Sequence, residues 1–414
     1  MTIATPLKGQ VPSTAGKGAA DERAAGRHPL LLPVLLMCAT LTVMSGATIA
    51  PAMPSLKAHF MEGEVAGGAV DYLVRLILTV PGLAIALSAP VAGIVADRIG
   101  RRVLLVAGIV GYVLAGSAGL WLNSLEALLA SRVLLGVAVA CIMTAGTALL
   151  TDHFVGAERD RVMGVQSAAL GVGGIVFVLL GSFLADWSWR GPFAVYLLPV
   201  ILVVLVPMFV AKPPDNASEP GASGDAMPWG HVALMCLIGF VSMLVFYNVP
   251  TQLPFYAQEL GATRQATAGI AIVVGQIASV MASASFGRIR ARAGHWTIMA
   301  AGFGLIGVGY VMLSLAPSLT FLFLAMPVIG LGLGLNFPNV TTWTMSRVPA
   351  SGRGRAAGLL SSAVFLGQFA SPFASQPIAD VWNISTAYAV AGLFCILAVT
   401  LPALFMRGAE ARAA

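Results

Sequence analysis

Twelve stretches of this 414-residue chain are apolar over about 20 residues each, the length that a helix needs to cross the hydrocarbon core of a bilayer. With 58% hydrophobic and 10% charged residues, the chain has too little polar surface to cover a soluble globule of this length. The sequence therefore predicts an all-α membrane protein with 12 transmembrane helices. The predicted spans begin near Leu30, Tyr72, Val103, Ala127, Val162, Gly191, Val232, Gln265, Thr297, Leu319, Ala356 and Ser385.

A polar segment separates the sixth predicted span from the seventh. Residues 212–230 are rich in Pro, Gly, Ser and Asp, which is typical of a flexible linker. We therefore expect a six-helix bundle over residues 29–211 and another over residues 231–406. The rest is predicted to be a disordered cytoplasmic tail at residues 1–28, a cytoplasmic linker at residues 212–230 and a cytoplasmic tail at residues 407–414.

The two halves share a weak repeat at a constant offset of 194 residues. GIVADRIGRR at Gly93–Arg102 returns as GRIRARAGHW at Gly287–Trp296, and each copy closes a long apolar run. Parallel repeats of this kind place a binding site near the bilayer midplane, between halves that rock against each other. The sequence thus predicts two homologous bundles and a transport function. Further aligned pairs are Arg98 with Arg292, Gly100 with Gly294, Gly136 with Gly330, Arg159 with Arg353, Arg161 with Arg355, Gly164 with Gly358 and Asp186 with Asp380.

Basic residues are concentrated on one face of the predicted topology. Of the 23 Lys and Arg, 18 lie on that face and only Lys57, Arg190 and Arg264 lie on the other. The positive-inside rule then places both termini in the cytoplasm and the protein in the cytoplasmic (inner) membrane. The net charge of +6 is thereby explained by topology, and we expect no nucleic-acid partner. Arg75 and Arg132 remain inside apolar spans.

The chain lacks the sequence motifs of common enzymes and metal sites. It contains no GxxxxGK[ST], HExxH or GxSxG, and none of its five histidines lies in mid-span. Its four cysteines lie in separate apolar stretches without CxxC spacing. We therefore predict neither an enzyme, nor a metal site, nor a cofactor.

The loop after the second span carries a recognisable signature. Its residues Gly93, Asp97, Arg98, Gly100, Arg101 and Arg102 form G-x-x-x-D-R-x-G-R-R. This motif resembles that of the major facilitator superfamily, which implies the major facilitator fold and makes the loop a conformational latch. A merely topogenic loop would explain the arginines but not the spacing of glycine and Asp97. In the second copy Ala291 replaces Asp97, so we expect only the first half to carry the acidic residue.

Arg132 begins an R-x-x-x-G motif, which resembles proton-coupled members of the superfamily. A charge inside the membrane costs about 2.5 to 3.5 kcal/mol and usually faces a cavity or a partner, although Arg132 could instead snorkel to the outer interface. The first span offers no carboxylate, and the nearest one by depth is Asp71, four residues before Arg75. We hypothesise that Asp71, Arg75 and Arg132 form a charge cluster that couples protonation to gating. The alternative is a local surface pair of Asp71 with Arg75.

The resemblance places substrate contacts on the first, fourth, seventh and tenth spans. Asn336 and Asn339 flank Pro338, where a broken helix would expose backbone carbonyls to a ligand. For each candidate alone, hydrogen bonding between helices is an equally good explanation. The candidates are Thr42, Met44, Thr144, Phe246, Tyr247, Asn248, Asn336 and Asn339, with Gln368 and Ser371 as weaker ones.

These observations predict a secondary active transporter that works by alternating access, binds a small molecule, uses protons as the coupling ion and functions as a monomer in the lipid bilayer. The first expectation is proton-coupled efflux of apolar or drug-like compounds. The antiporter signature of the fifth span is incomplete, because Phe177 and Val178 occupy the places of its glycine and proline. Uptake of a specific metabolite or vitamin is therefore the alternative, and a passive channel is a third.

Overall fold

The structure, a computed structural model, describes residues 28–61, 68–154, 156–210 and 226–406. Within them 12 helices are long and apolar enough to span a membrane, which confirms the predicted all-α fold. The observed starts lie within three residues of the predicted ones, the largest differences being Trp229 against Val232 and Arg353 against Ala356. Residues 1–27, 211–225 and 407–414, which hold nearly all of the predicted tails and linker, lie outside the described residues.

The spans alternate in direction across the bundle. They are α1 (Leu31–Met61), α2 (Val70–Ile99), α3 (Arg101–Leu120), α4 (Leu125–His153), α5 (Arg161–Trp187), α6 (Gly191–Phe209), α7 (Trp229–Glu259), α8 (Gln265–Arg290), α9 (His295–Ser314), α10 (Leu319–Arg347), α11 (Arg353–Val381) and α12 (Ile384–Met406).

The sequence repeat is also a repeat of helix contacts. A Cβ atom at Gly136 on α4 would lie 2.5 Å from the carbonyl oxygen of Pro81 on α2. In the other half, a Cβ atom at Gly330 on α10 would lie 2.0 Å from the carbonyl oxygen of Gly275 on α8. Both positions of the second pair follow the first by 194 residues, from 136 to 330 and from 81 to 275. Glycine allows the two backbones to meet at each crossing.

Helix α1 is interrupted near its middle. An α-helix over Leu31–Ala47 gives way to a 3₁₀ turn at Ala50–Ala52, which contains Pro51, and then to a second α-helix over Met53–Met61. Helix α5 packs directly on this interruption, since a Cβ atom at Gly181 would lie 2.0 Å from the carbonyl oxygen of Thr48. The glycine therefore fixes how closely α5 approaches α1.

The first and last described residues lie at the same end of the molecule, because the number of spans is even. We call this end the arginine-rich end, since it carries Arg98 of α2, Arg101 and Arg102 of α3, and Arg288 and Arg290 of α8. The other end is called the opposite end. Asp71 near the start of α2 and Glu259 at the end of α7 lie there.

The described hydrogen bonds that join the two bundles lie between the opposite end and the middle of the spans. Helices α2 and α11 form one crossing between the bundles, and α5 and α8 form the other. Hydrogen bonds from Arg75 to Gln252 and from Arg264 to Asp186 join the bundles near the opposite end. Toward the arginine-rich end of the same four helices, several glycines face open space where a Cβ atom would be. These are Gly93, Gly164, Gly287 and Gly358.

Candidate functional site

A cavity of about 280 Å³, which we call the central cavity, lies between the two bundles. Helices α1, α5, α7, α8 and α10 contribute to its lining, which is apolar except for Gln276 and Ser279 on α8. Its volume is near the lower limit of about 300 Å³ that is usual for small-molecule pockets. The cavity can therefore enclose a compact ligand and offers that ligand mainly apolar contacts.

An aromatic pair links two of the helices that line the central cavity. The rings of Phe246 on α7 and Phe337 on α10 meet edge to face, with centroids 6.2 Å apart and planes at 88°. Such pairs favour this geometry because the positive edge of one ring faces the negative face of the other. Among the predicted substrate residues, Phe246 lines this cavity.

The predicted residues on α1 and α4 point elsewhere. The hydroxyl of Thr42 donates to the carbonyl oxygen of Ala39 at 2.8 Å, and Met44 is fully buried in the core of the first bundle. Val43, the residue between them, lines the cavity instead. Thr144 on α4 is half-buried and is not among the lining residues. The face that α1 presents to the cavity therefore differs from the expected one.

Two predicted residues on α7 also have other surroundings. Tyr247 packs against α1, where a Cβ atom at Gly46 would lie 2.8 Å from the tyrosine hydroxyl. Asn248 is 3% exposed and lines a second cavity inside the C-terminal bundle, together with Ser371. Neither residue lines the central cavity.

On α10, Asn339 joins two helices of one bundle. Its side-chain nitrogen donates to the carbonyl oxygen of His295 at 3.0 Å, and its side-chain oxygen lies 2.8 Å from Nδ1 of the same histidine. The expected helix break at Pro338 is wrong, because α10 is a continuous α-helix over Leu319–Arg347. Prolines inside membrane helices are tolerated where neighbouring groups satisfy the freed backbone.

Asn336 faces α9 and not the central cavity. A Cβ atom at Gly302 on α9 would lie 2.2 Å from the side-chain oxygen of Asn336. The contact of Gly302 with Asn336 has an equivalent in the first bundle, where Gly108 meets Ile142. Positions 108 and 142 precede positions 302 and 336 by 194 residues. Asn336 thus occupies a packing position, and both polar atoms of its side chain lack a hydrogen-bond partner among the described residues.

A glutamine lies at each of the two crossings between the bundles. Only one of them, Gln368, is among the candidates that the sequence indicates. A Cβ atom at Gly174 on α5 would lie 3.6 Å from the amide nitrogen of Gln276 on α8. At the other crossing, a Cβ atom at Gly82 on α2 would lie 3.0 Å from the carboxamide carbon of Gln368 on α11. Positions 82 and 276 are repeat equivalents, as are positions 174 and 368. The offset of 194 residues relates Gln276 to Gly82, which contacts Gln368, so the repeat was the sequence signal that could have identified Gln276.

A chain of polar side chains, which we call the opposite-end network, crosses the boundary between the bundles. Asp71 lies 2.5 Å from Nζ of Lys57 and 3.1 Å from the guanidinium of Arg75. Arg75 is 3% exposed, donates to the side-chain oxygen of Gln252 at 3.1 Å and stacks over the ring of Phe255 at 4.3 Å. These contacts tie α1 and α2 of the first bundle to α7 of the second.

The opposite-end network continues into α11. The amide nitrogen of Gln252 donates to Gln376 at 3.0 Å and to the hydroxyl of Ser375 at 3.2 Å. Gln376 in turn donates to Asp380 at 2.6 Å. A separate contact closes the other crossing, where Asp186 at the end of α5 accepts hydrogen bonds from the side chain of Arg264 and the backbone of Ala266 at the start of α8.

Arg132 is not part of the opposite-end network. It is fully buried within the first bundle, where its Nη2 donates to the carbonyl oxygens of Ala115 at 2.7 Å and Gly116 at 2.8 Å. Its guanidinium also lies over the rings of Phe193 and Tyr196, with the charge 5.1 and 5.4 Å from their centroids. The structure thus brings together Asp71 and Arg75 of the hypothesised cluster, whereas Arg132 joins α4 to α3 and α6.

The signature loop lies at the arginine-rich end. Gly100 has φ +92°, a conformation that side-chain-bearing residues rarely adopt, and it allows the tight turn between α2 and α3. Arg101 forms an ion pair with Asp152 of α4, and Arg102 donates to the carbonyl oxygen of Pro207 in α6. Asp97 is exposed and makes no ion pair among the described residues. The loop therefore contacts its own bundle in this conformation.

The comparisons with known proteins agree with this architecture. The family model described as Major Facilitator Superfamily matches residues 35–372 and residues 235–413. The class C tetracycline resistance protein of Escherichia coli is 27% identical over 406 residues, which cover 92% of this chain and 98% of that protein. Human protein spinster homolog 1 is 30% identical over 219 residues, 51% of this chain, and the match spans only 39% of that protein's length. The inward-open structure of the xylose transporter of E. coli superposes with a TM-score of 0.73 at 16% identity, covering 91% of this chain and 94% of that one.

Proposed function

The chain belongs to the major facilitator superfamily, and on that basis we propose that it is a secondary transporter that exports small, apolar, drug-like molecules at the expense of a proton gradient. Alternating access is the mode of action that its two homologous bundles favour. Each bundle moves as a unit, and the central cavity opens to one side of the membrane at a time.

The apolar lining of the central cavity is the observation that carries this proposal. Only Gln276 and Ser279 offer side-chain hydrogen bonds there, and none of the described lining residues is charged. A sugar or a charged metabolite would lose its hydrogen bonds to water on entering such a cavity, at a cost of roughly 1–3 kcal/mol for each unpaired group. A neutral apolar molecule avoids this cost, so the cavity favours drug-like ligands over polar nutrients. The end-to-end similarity to a tetracycline resistance protein supports the same direction.

We further propose that the arginine-rich end faces the cytoplasm. Arg98, Arg101 and Arg102 flank the short turn between α2 and α3, and the positive-inside rule keeps such basic turns on that side. With this orientation, the open space beside Gly93, Gly164, Gly287 and Gly358 at the arginine-rich end corresponds to an inward-facing state, and the opposite-end network closes the outer side.

The proposed coupling element is Asp71 within the opposite-end network. Its neighbours are Lys57 on α1 and Arg75 on α2, and the carboxylates of Asp380 on α11 and Glu259 on α7 also interact electrostatically with Arg75. Protonation of Asp71 removes the charge that holds Lys57 and Arg75, so acid on the outer side weakens the closure. The proton gradient thereby acts on the step that opens the outer side.

Transport into inside-out membrane vesicles tests the proposal. Vesicles that carry the protein should accumulate a neutral lipophilic fluorescent dye when a proton gradient is imposed, and a protonophore should abolish the accumulation. Phe246→Ala, which removes one ring of the cavity pair, should reduce the rate at least fivefold. Phe321→Ala, on an exposed part of α10, is the matched control and should leave the rate unchanged.

Two outcomes would contradict export. Growth rescue of an auxotroph by this protein, without accumulation in inside-out vesicles, would establish uptake of a metabolite instead. Equal dye flux with and without the gradient would establish a passive pathway.

A further inference from the structure

A second cavity, which we call the lateral cavity, lies within the C-terminal bundle. Its volume is about 310 Å³, and α7, α11 and α12 form it. It shares no lining residue with the central cavity. Val390 and Phe394 of α12 border it and are 44% and 42% exposed. Helix α12 packs on α7, α9 and α11 of its own bundle and is the least buried of the described spans, so its exposed side contacts lipid and the lateral cavity borders the bilayer.

Two buried polar side chains line the lateral cavity without a partner. Asn248 is 3% exposed and Ser371 is 1% exposed. The side-chain oxygen of Asn248 and the hydroxyl of Ser371 accept or donate no hydrogen bond among the described residues. The nearby Ser375 differs, because its hydroxyl donates to the carbonyl oxygen of Ser371 at 3.1 Å and accepts from Gln252. Buried polar groups are normally paired, so the two free groups indicate a missing hydrogen-bonding ligand.

The depth of these groups restricts what the ligand can be. Asn248 lies four residues from the middle of α7 (Trp229–Glu259), which corresponds to about 6 Å along the helix at 1.5 Å per residue. Half of the hydrocarbon core is about 15 Å thick, so Asn248 lies well inside it. A charged lipid headgroup is too costly at that depth, whereas a small apolar molecule with one hydroxyl partitions there readily.

We propose that the lateral cavity binds a small apolar alcohol or phenol that enters from the bilayer. The side-chain oxygen of Asn248 and the hydroxyl of Ser371 have almost no accessible surface in this conformation, so the two side chains rotate toward the cavity when the ligand binds. The ligand hydroxyl then donates a hydrogen bond to the side-chain oxygen of Asn248, and the hydroxyl of Ser371 donates to the ligand oxygen in return. Apolar residues such as Leu244, Ile378 and Val390 surround the rest of the ligand. The site is independent of the central cavity and of the direction of transport.

Photolabelling in lipid nanodiscs tests the site. The probe is an alkylphenol that carries a diazirine, and its methyl ether is the comparison because it has the same apolar body but no donor. The phenol should label peptides of α7, α11 and α12 saturably, and the ether should label them at least fivefold less. Excess unlabelled alkylphenol should remove the signal.

Variants of the chain separate the lateral cavity from general lipid exposure. Asn248→Leu removes the acceptor, and Ala391→Phe fills the cavity from α12, so each should reduce labelling at least fivefold. Ala389→Phe adds the same ring on the same helix outside the cavity and should leave labelling unchanged. Asn248→Leu keeps the number and branching of the side-chain heavy atoms, which keeps the test valid if the larger substitution prevents folding. Unsaturable labelling, or equal labelling of the phenol and its ether, would overturn the proposal.

Discussion

Arg75 on α2 donates a 3.1 Å hydrogen bond to the side-chain oxygen of Gln252 on α7, and this bond joins the two bundles near the opposite end. The same carboxamide donates through its nitrogen to Gln376 on α11. Arg75 is 3% exposed, and its Nε has no partner among the described residues. A buried guanidinium is costly unless its remaining bonds hold, so the closure depends strongly on Gln252.

Replacing Gln252 should loosen the closure at the opposite end. Gln252→Leu removes the acceptor of Arg75 on α7 and leaves its Nη2 unpaired, which costs about 1–3 kcal/mol for the buried group and shifts the population toward the open state roughly tenfold. Ser279→Cys in a background without the four natural cysteines provides a reporter inside the central cavity. A membrane-impermeant maleimide added to whole cells should label this reporter about tenfold faster in the Gln252 variant.

The control is Gln258→Leu, an exposed position on the same helix. Equal labelling rates for the two variants would show that the contact of Gln252 with Arg75 does not hold the bundles together.

The close contact of α5 with α1 should be sensitive to a single methyl group. In Gly181→Ala the new Cβ atom would lie 2.0 Å from the carbonyl oxygen of Thr48, so we expect a loss of about 1–3 kcal/mol of stability. Gly164→Ala is a matched control on the same helix, where a Cβ atom meets nothing within 4 Å, and it should be neutral or slightly stabilising. Thermal unfolding of the purified protein in detergent measures both, and similar midpoints would contradict the contact.

Substitutions of two neighbouring asparagines should have opposite effects on stability. Asn336→Ile removes two buried polar atoms without partners and introduces the residue type found at the repeat-equivalent Ile142, so the variant should gain about 1 kcal/mol. Asn339→Ile breaks both contacts with His295 and should lose about 1 kcal/mol. Unfolding in a denaturing detergent measures the difference. A loss in both variants would indicate that Asn336 has an essential partner.

Neutralising Asp71 should remove the pH dependence of transport. If Asp71 carries the coupling proton, the wild-type rate should change with outer pH, whereas Asp71→Asn, which cannot take up that proton, should give a flat profile. Glu126→Gln, an exposed carboxylate near the same end, should keep the wild-type profile. Dye transport measured in proteoliposomes across outer pH values tests this, and an unchanged profile in Asp71→Asn would exclude the proposed coupling role.

The sequence was sufficient to predict the fold because its signals are long and repeated. Each span extends over about 20 apolar residues, so the predicted start at Gln265 or Leu319 agrees with the observed one. The offset of 194 residues, seen first in the loop motif, also relates the packing of Gly136 to that of Gly330. Hydropathy and the repeat are properties of whole segments, so they predict the spans without information on which face of a helix is buried.

The lining of the cavity could not be predicted from the same signals. Most of these helices are apolar on every side, so the pattern does not distinguish Val43, which lines the cavity, from Thr42 and Met44, which do not. Hydroxyl groups such as that of Thr42 are satisfied by their own helix and require no ligand. Asn336 packs against Gly302 of α9 and does not line this cavity, and the sequence pattern could not decide between a ligand contact and a contact between helices for this residue.

The two glutamines at the crossings have a consequence for how the halves recognise each other. The N-terminal half supplies glycine at both contact positions, Gly82 and Gly174, and the C-terminal half supplies glutamine at both, Gln276 and Gln368. A pair of identical N-terminal halves would leave voids at both crossings, and a pair of identical C-terminal halves would crowd two long side chains into each. After duplication the two halves have thus diverged at these positions, so that each half is complementary to the other and not to a copy of itself.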